Sequence, residues 1–412
     1  MARRFRTIWA KGGQVTNSPP SKVKLSQDEP CRVLASGFDT LYLSLDAEWG
    51  GGSFFEYLDE LKGRAEDGKP TPGENHVADD TVDPWLFTVR RFGVNGYAYI
   101  LDSRQFTAEI AATPKPGTRP NIRLLFPSET LWRLGARPSI DWALRHLAAA
   151  NAHPVAIKPS RVDPCVDILI RESDWHEGLR PLLVTRAQGV SVHTSNGRLS
   201  GFSIGRSPLA ARLYDKPLEI QQKSRKFWMY DIWGIDHVPE GYVVIRIEFE
   251  ILREKLHRMG INLIDDLWVK QGELWAYCTE WLKLRDNPGK HHTQRHTLPW
   301  WDVVQTGFAG SQGAEPLVLD KASRAAREQV GRQVFGLMSS LTALRNQRGV
   351  PDELGMFSIV DEFPQLMNLA HELGISDESY TDAVIQKLGK QRRSGFSAGA
   401  DADDAVSSDV PI

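Results

Sequence analysis

Arg161-Val-Asp-Pro-Cys-Val-Asp-Ile-Leu-Ile170 is the stretch whose reading decides the fold. Successive side chains of a β-strand point to opposite faces. Val162, Val166, Ile168 and Ile170 therefore face one way, and Arg161, Asp163, Cys165 and Asp167 the other. Pro164 falls on the apolar side and predicts an edge strand or a bulge, because proline cannot donate to a ladder. Asp163 and Asp167 are separated by about 13 Å along a regular strand. They cannot both bind one metal ion unless Pro164 distorts the strand, so one of them would act from behind the ligand.

Two further segments repeat the pattern. Ser200 to Lys216 reads as a strand, a tight turn over Gly205 to Pro208 and a second strand, with Arg212, Tyr214 and Lys216 on one face and Leu213 opposite. Tyr242 to Ile251 places Arg246, Glu248 and Glu250 on one face and Val243, Ile245, Ile247, Phe249 and Ile251 on the other. Antiparallel sheets commonly keep one wet face whose charges are only solvated. Here the three wet faces offer complementary parts of one reaction: a nucleophile, carboxylates for a metal, and cations for phosphates.

The chemistry needs each of those residue types. A tyrosine hydroxyl, with a pKa of about 10, is a weak nucleophile at neutral pH. A divalent ion held by carboxylates can bind a phosphate and neutralise developing charge, and hard oxygen ligands suit Mg²⁺ or Mn²⁺. Lys216 can favour the phenolate or contact the phosphate. Arg161, Arg212 and Arg246 can hold backbone phosphates or pair with the acids.

Outward from these strands, the chain predicts an α+β fold: an antiparallel-sheet catalytic domain with flanking helices, then a smaller all-helical region. Residues 1–35, basic and rich in Ser, Pro and Gly, predict a flexible arm. Residues 36–310 hold the catalytic domain. It opens with a strand over Asp39 to Leu45 and helical spacing over Phe54 to Leu61, followed by a polar loop from Gly63 to Pro84. Trp85 to Leu101 reads as a hairpin turning near Asn95-Gly96. A strand over Ile122 to Phe126 and helices over Ser128 to Gly135 and Ser139 to Ala150 come next, with Ser139 as N-cap. Leu263 to Leu284 is a Trp-rich amphipathic helix. Residues 315–395 are read as a helical accessory region and 396–412 as a disordered acidic tail.

The 412 residues carry a net charge of −2, which by itself says nothing of nucleic acid. Charge is unevenly placed, however. Seven Lys or Arg lie between Arg198 and Lys226 against Asp215 and Glu219, and six between Lys321 and Arg348 against Glu328. Such local patches matter more for DNA binding than the sum. Arg206, Arg225 and Lys226 belong to the first, and Lys223 to Trp233 interleaves bases with aromatics as a single-strand stacking surface does. There is no run of about 18 apolar residues, so no membrane partner is expected. Three scattered cysteines, Cys31, Cys165 and Cys278, fit a reducing cytoplasm. His291, His292 and His296 lack the spacing of a ligand pair on a strand, and Cys165 is read as a packing residue.

In this order and spacing, Arg161/Asp163/Asp167, Gly205-Arg206-Ser207, Tyr214-Asp215-Lys216 and Arg246/Glu248 resemble the rolling-circle replication initiation factor family of bacterial plasmids, phages and integrative elements. The resemblance covers roughly residues 36 to 285. It implies an origin-specific, strand-specific DNA endonuclease that joins DNA to a tyrosine, leaving a 5′-phosphotyrosyl link and a free 3′-hydroxyl. Carried over, it makes Tyr214 the nucleophile, with Tyr230 and Tyr242 as neighbouring alternatives. Lys216 becomes a phosphate contact, and Asp163, Asp167 and Glu248 the acidic site for Mg²⁺ or Mn²⁺. The expected partners are DNA, a host helicase or polymerase, and a second copy of the chain. The alternatives are a conjugative relaxase with the same chemistry, a non-catalytic DNA-binding regulator, and a metal-dependent nuclease that leaves both ends free.

Overall fold

Long alternating runs of apolar residues let two strands dominate the structure. In the computed structural model, β1 (Cys31–Trp49) and β7 (Ala152–Arg171) pair antiparallel along nearly their whole length. The structure describes residues 30–77, 83–113, 119–286 and 295–318, with the isolated positions Val334 and Pro364. The expected arm before Pro30, the histidines 291 and 292, and the expected helical region and tail lie outside the described residues.

Between the two long strands the chain forms α1 (Ser53–Arg64), β2 (Thr71–Asn75), β3 (Trp85–Val89), β4 (Tyr99–Ser103), β5 (Thr107–Ile110), β6 (Ile122–Phe126), α2 (Ser128–Leu134) and α3 (Ala136–Ala149). After β7 come β8 (Leu183–Thr185), β9 (Val190–Ser195), β10 (Arg198–Arg206), β11 (Leu209–Asp215), α4 (Lys216–Glu219), α5 (Met229–Trp233) and β12 (Tyr242–Leu252). Then follow α6 (Arg253–Arg258), α7 (Ile264–Trp281), β13 (Leu282–Leu284) and α8 (Pro299–Thr306). Eleven strands form one antiparallel sheet in the order β2-β3-β4-β5-β6-β1-β7-β12-β11-β10-β9. This is the α+β class that the sequence predicts.

Four expectations need correction. Cys31 to Ala35 belong to β1 rather than to an arm, because Leu34 and Ala35 are buried against β7 and its covering helices. The loop over Gly63 to Pro84 contains β2, whose Gly73 lies so close to Leu61 and Phe87 that a Cβ would meet them at 2.5 and 2.8 Å. Ser139 lies inside α3, buried, with its hydroxyl donating to the Gly135 carbonyl at 2.6 Å, so it does not cap the helix. Pro164 marks neither an edge nor a bulge of its own strand: β7 is central, and the register shift falls in β1 between Phe38 and Thr40.

The two faces of the central strands are covered differently. On one, Phe38, Phe249, Trp268, Trp275 and Phe308 interlock as ring pairs beneath α7 and α8, with Trp301 also buried. On the other, Trp132 of α2 with Ile220, Met229 and Trp233 covers Ala35, Cys165, Leu169 and Val244. That cover ends partway along the strands and leaves the rest of the face open as a cleft. No helix among the described residues is long and apolar enough to cross a membrane.

Candidate active site

Strand register aligns the three polar faces. Directly opposed residues in an antiparallel ladder share a face. One row across the sheet reads His193, Gly201, Tyr214, Arg246, Asp167, and the next reads Ser191, Ser203, Arg212, Glu248, Cys165. His193 and the β10 and β11 parts of these rows, with Glu248, floor a cleft of about 540 Å³ lined among others by Asp39, Arg161, His193, Ser203, Arg212, Tyr214, Lys216 and Glu248.

Tyr214 and Glu248 are its chemical centre. The tyrosine hydroxyl donates to Glu248 Oε2 at 2.9 Å. Burial, then the charge of Glu248, pushes the phenol well above its usual range, so the proton rests on the tyrosine. Burial and the nearby Asp39 raise Glu248 in turn, against the opposing pull of Arg246. The pair is thus a phenol held against a carboxylate of increased basicity. Arg212 flanks it, its guanidinium 3.4 Å from Glu248 and 3.0 Å from Glu250, with about half of its side chain exposed to the cleft. Tyr230 packs its ring on Trp233 and Tyr242 starts β12. Neither lines the cleft.

Lys216 lies at the cleft wall in a different setting from the one its spacing suggests. The strand ends at Asp215, whose carboxylate accepts from the Leu218 backbone at 2.9 Å and caps α4. Lys216 therefore starts a helix. Its ammonium is buried, donates to Glu219 at 2.7 Å, and sits 5.4 Å from the Tyr214 ring centre. Burial and then Arg246 lower its pKa, against the pull of Asp39 and Glu219.

The remaining expected residues divide sharply. Arg161 lines the cleft and grips Asp163 through paired hydrogen bonds of 2.9 and 2.5 Å, with Glu250 at 2.9 Å. Lys226 lines the cleft and lies 3.9 Å from Asp39. Arg225 is exposed in the left-handed region at φ 56°, off the cleft. Arg206, at the hairpin end, follows the alternation of Phe202 and Ile204, which face away from Tyr214. Arg246 is corrected outright as a phosphate contact. It has no exposure and donates to Asp167 at 2.6 and 2.7 Å and to Asp39 at 2.5 Å, so it is an internal counter-ion. The aromatic segment after Lys223 is corrected too. Trp233 is buried, Trp228 and Tyr230 pack against the same apolar cluster, and Phe227 alone stays exposed.

The expected metal ligands do not converge. Asp167 is fully buried, bound by Arg246 and by the Trp233 indole at 2.8 Å. Asp163 is held by Arg161, and Glu248 by Tyr214 and Arg212. Among the described residues no group of three or more His, Cys, Asp or Glu is arranged to hold an ion. The donor set therefore does not fit the metal site that the resemblance implies.

Sequence reasoning missed Asp39. Burial alone would raise its pKa, but Arg246, Lys226 and Lys216 outweigh that and hold the carboxylate well below the ordinary range. It also accepts from Ser128 at 2.7 Å and the Trp132 indole at 3.2 Å. No local signal identifies it, since all these partners are distant in the chain. His193 and Ser203 were missed as well, although the alternation of Val190 and Val192 against Ser191 and His193 carries a readable strand signal.

Comparison with known proteins returns no matching family model and no matching curated relative.

Proposed function

We propose that this protein cleaves and rejoins a DNA strand through Tyr214, starting rolling-circle replication of a plasmid, phage or integrative element. The observation that carries the reading is the Tyr214 hydroxyl donating to Glu248 at 2.9 Å on the floor of a cleft edged by Arg161, Arg212, Lys223 and Lys226. A nucleophile held against a base is the arrangement that activates a weak hydroxyl. Cations around an open cleft suit a phosphodiester backbone.

In this mechanism Glu248 takes the phenolic proton as the tyrosine oxygen bonds to phosphorus. The bond from phosphorus to the 3′ oxygen breaks, leaving DNA attached through a 5′-phosphotyrosine. Arg212 and Lys216 offset charge on the phosphoryl oxygens. The raised basicity of Glu248 favours the transfer, since a general base works best when its pKa approaches the working pH. The same attack in reverse, by a 3′-hydroxyl on the phosphotyrosine, rejoins the strand.

The test incubates the protein with a randomised single-stranded DNA library in Mg²⁺ buffer, denatures it, and sequences DNA that remains attached. The expected result is a tyrosyl adduct at a recurrent site, lost in Tyr214→Phe with DNA binding retained. Binding without any covalent product would favour a regulator on the same scaffold, and two free ends would indicate a hydrolytic nuclease.

A further inference from the structure

When a tyrosine oxygen displaces a 3′ oxygen from phosphorus, the two oxygens lie roughly in line on opposite sides of the phosphorus. The departing oxygen needs a proton, and a positioned acid that supplies it accelerates such a step by about 10²–10⁴-fold. Glu248 serves the attacking side only.

The opposite wall of the cleft carries a candidate. His193 on β9, Gly201 on β10 and Tyr214 on β11 stand in one row. His193 and Tyr214 thus share a face, two strand spacings or about 10 Å apart at the backbone. Gly201 contributes no side chain between them. A Cβ there would stand 2.7 Å from the Leu213 carbonyl oxygen and 2.9 Å from the Tyr214 Cβ, so the glycine lets the Tyr214 strand approach closely with no side chain interposed.

The side chains of His193 and Tyr214, on either side of Gly201, reach the neighbouring row at opposite ends. The Tyr214 hydroxyl meets Glu248 at 2.9 Å on the β12 side, and His193 Nε2 meets Ser203 Oγ at 2.9 Å on the β10 side. Arg212 stands between Ser203 and Glu248 in the ladder. A phosphate resting against Arg212 therefore has the tyrosine oxygen on one flank and the imidazole on the other.

We propose that His193 is the general acid that protonates the departing 3′ oxygen, with Ser203 holding its ring. The role rests on the tyrosine-nicking reading above. As an imidazolium His193 has two N–H donors: Nε2 serves Ser203, and Nδ1 remains for the substrate. The step balances. The tyrosine oxygen–phosphorus bond forms and the phosphorus–3′ oxygen bond breaks. The phenolic proton passes to Glu248, and an imidazolium proton passes to the 3′ oxygen. Rejoining uses the neutral imidazole as base and protonated Glu248 as acid.

The test uses an oligonucleotide carrying the nick site recovered from the library, made with either the natural 3′ oxygen or a bridging 3′ sulfur at the scissile link. A thiolate is a far better leaving group than an alkoxide and departs without a proton. His193→Ala and His193→Gln are expected to form the tyrosyl adduct about 10²–10⁴-fold more slowly on the oxygen substrate and near the wild-type rate on the sulfur substrate. Tyr214→Phe is expected to be inert on both. Equal losses on both substrates, or wild-type rates on the oxygen substrate, would overturn the role of His193 while leaving Tyr214 as nucleophile. If the wild-type protein forms no tyrosyl adduct on either substrate, the nicking reading and the role of His193 fall together.

Discussion

Arg246→Met separates an internal role from a DNA-binding one. Arg246 has no exposed surface, and its guanidinium is spent on Asp167 and Asp39, with the Met229 sulfur at 3.7 Å and its guanidinium carbon 5.5 Å from the Trp132 ring centre. Methionine fills much of the same volume but leaves two buried carboxylates with no guanidinium. Removing one partner of a buried ion pair costs about 3–5 kcal/mol, a large share of the roughly 5–15 kcal/mol by which domains are stable. At a urea slope of about 2 kcal/mol/M, a loss of 4 kcal/mol lowers the midpoint by about 2 M. Intrinsic tryptophan fluorescence, to which Trp132 and Trp233 around this network contribute, reports the transition, and adding Asp167→Asn should recover part of the loss. Below the transition the salt dependence of DNA affinity should be unchanged, since a lost phosphate contact would flatten it by about one unit. A variant that unfolds at the wild-type midpoint but binds DNA with a flatter salt slope would refute the reasoning.

Three other variants test the cleft. Glu248→Gln should slow adduct formation by about 10²–10⁴-fold with DNA affinity retained. In the wild type the rate should fall as pH drops through a value above the ordinary glutamate 4.5, because burial and Asp39 raise the folded pKa of Glu248 and its ionised form is the base; a rate flat through that range speaks against it. Gly201→Ala pushes a methyl onto Tyr214 and Leu213, and a displacement of about 1 Å at the nucleophile should cost about 10²-fold in rate, read in the same adduct assay. Asp39→Asn should lower the urea midpoint at neutral pH and narrow its gap from wild type in acid. The folded pKa of Asp39 is depressed below 3.8, so its contribution is present in full above that value and lost as pH falls through the folded one.

Period-2 alternation alone determined a good deal. It located β7, β11 and β12 and placed Arg161, Asp163, Tyr214, Arg246 and Glu248 on their polar faces, because which side of a strand a residue occupies depends only on its neighbours. It also announced the hairpin at Asn95-Gly96, where both residues take positive φ as such a turn requires. What alternation does not encode is the order and register of strands, which are set by pairings between separate segments, from neighbouring strands such as β10 and β11 to β1 and β7, whose partners lie more than a hundred positions apart. Only register placed Tyr214 beside Arg246 and one diagonal step from Glu248, and brought His193 into the same row. Nor does a polar face state what covers it. Trp132, Met229 and Trp233 close one part of that face, turning Arg246 and Asp167 into a buried ion pair, while Glu248 and Arg212 stay at the open cleft. The same alternating charges thus became core in one place and candidate chemistry in another, because burial is decided by distant helices and not by the strand itself.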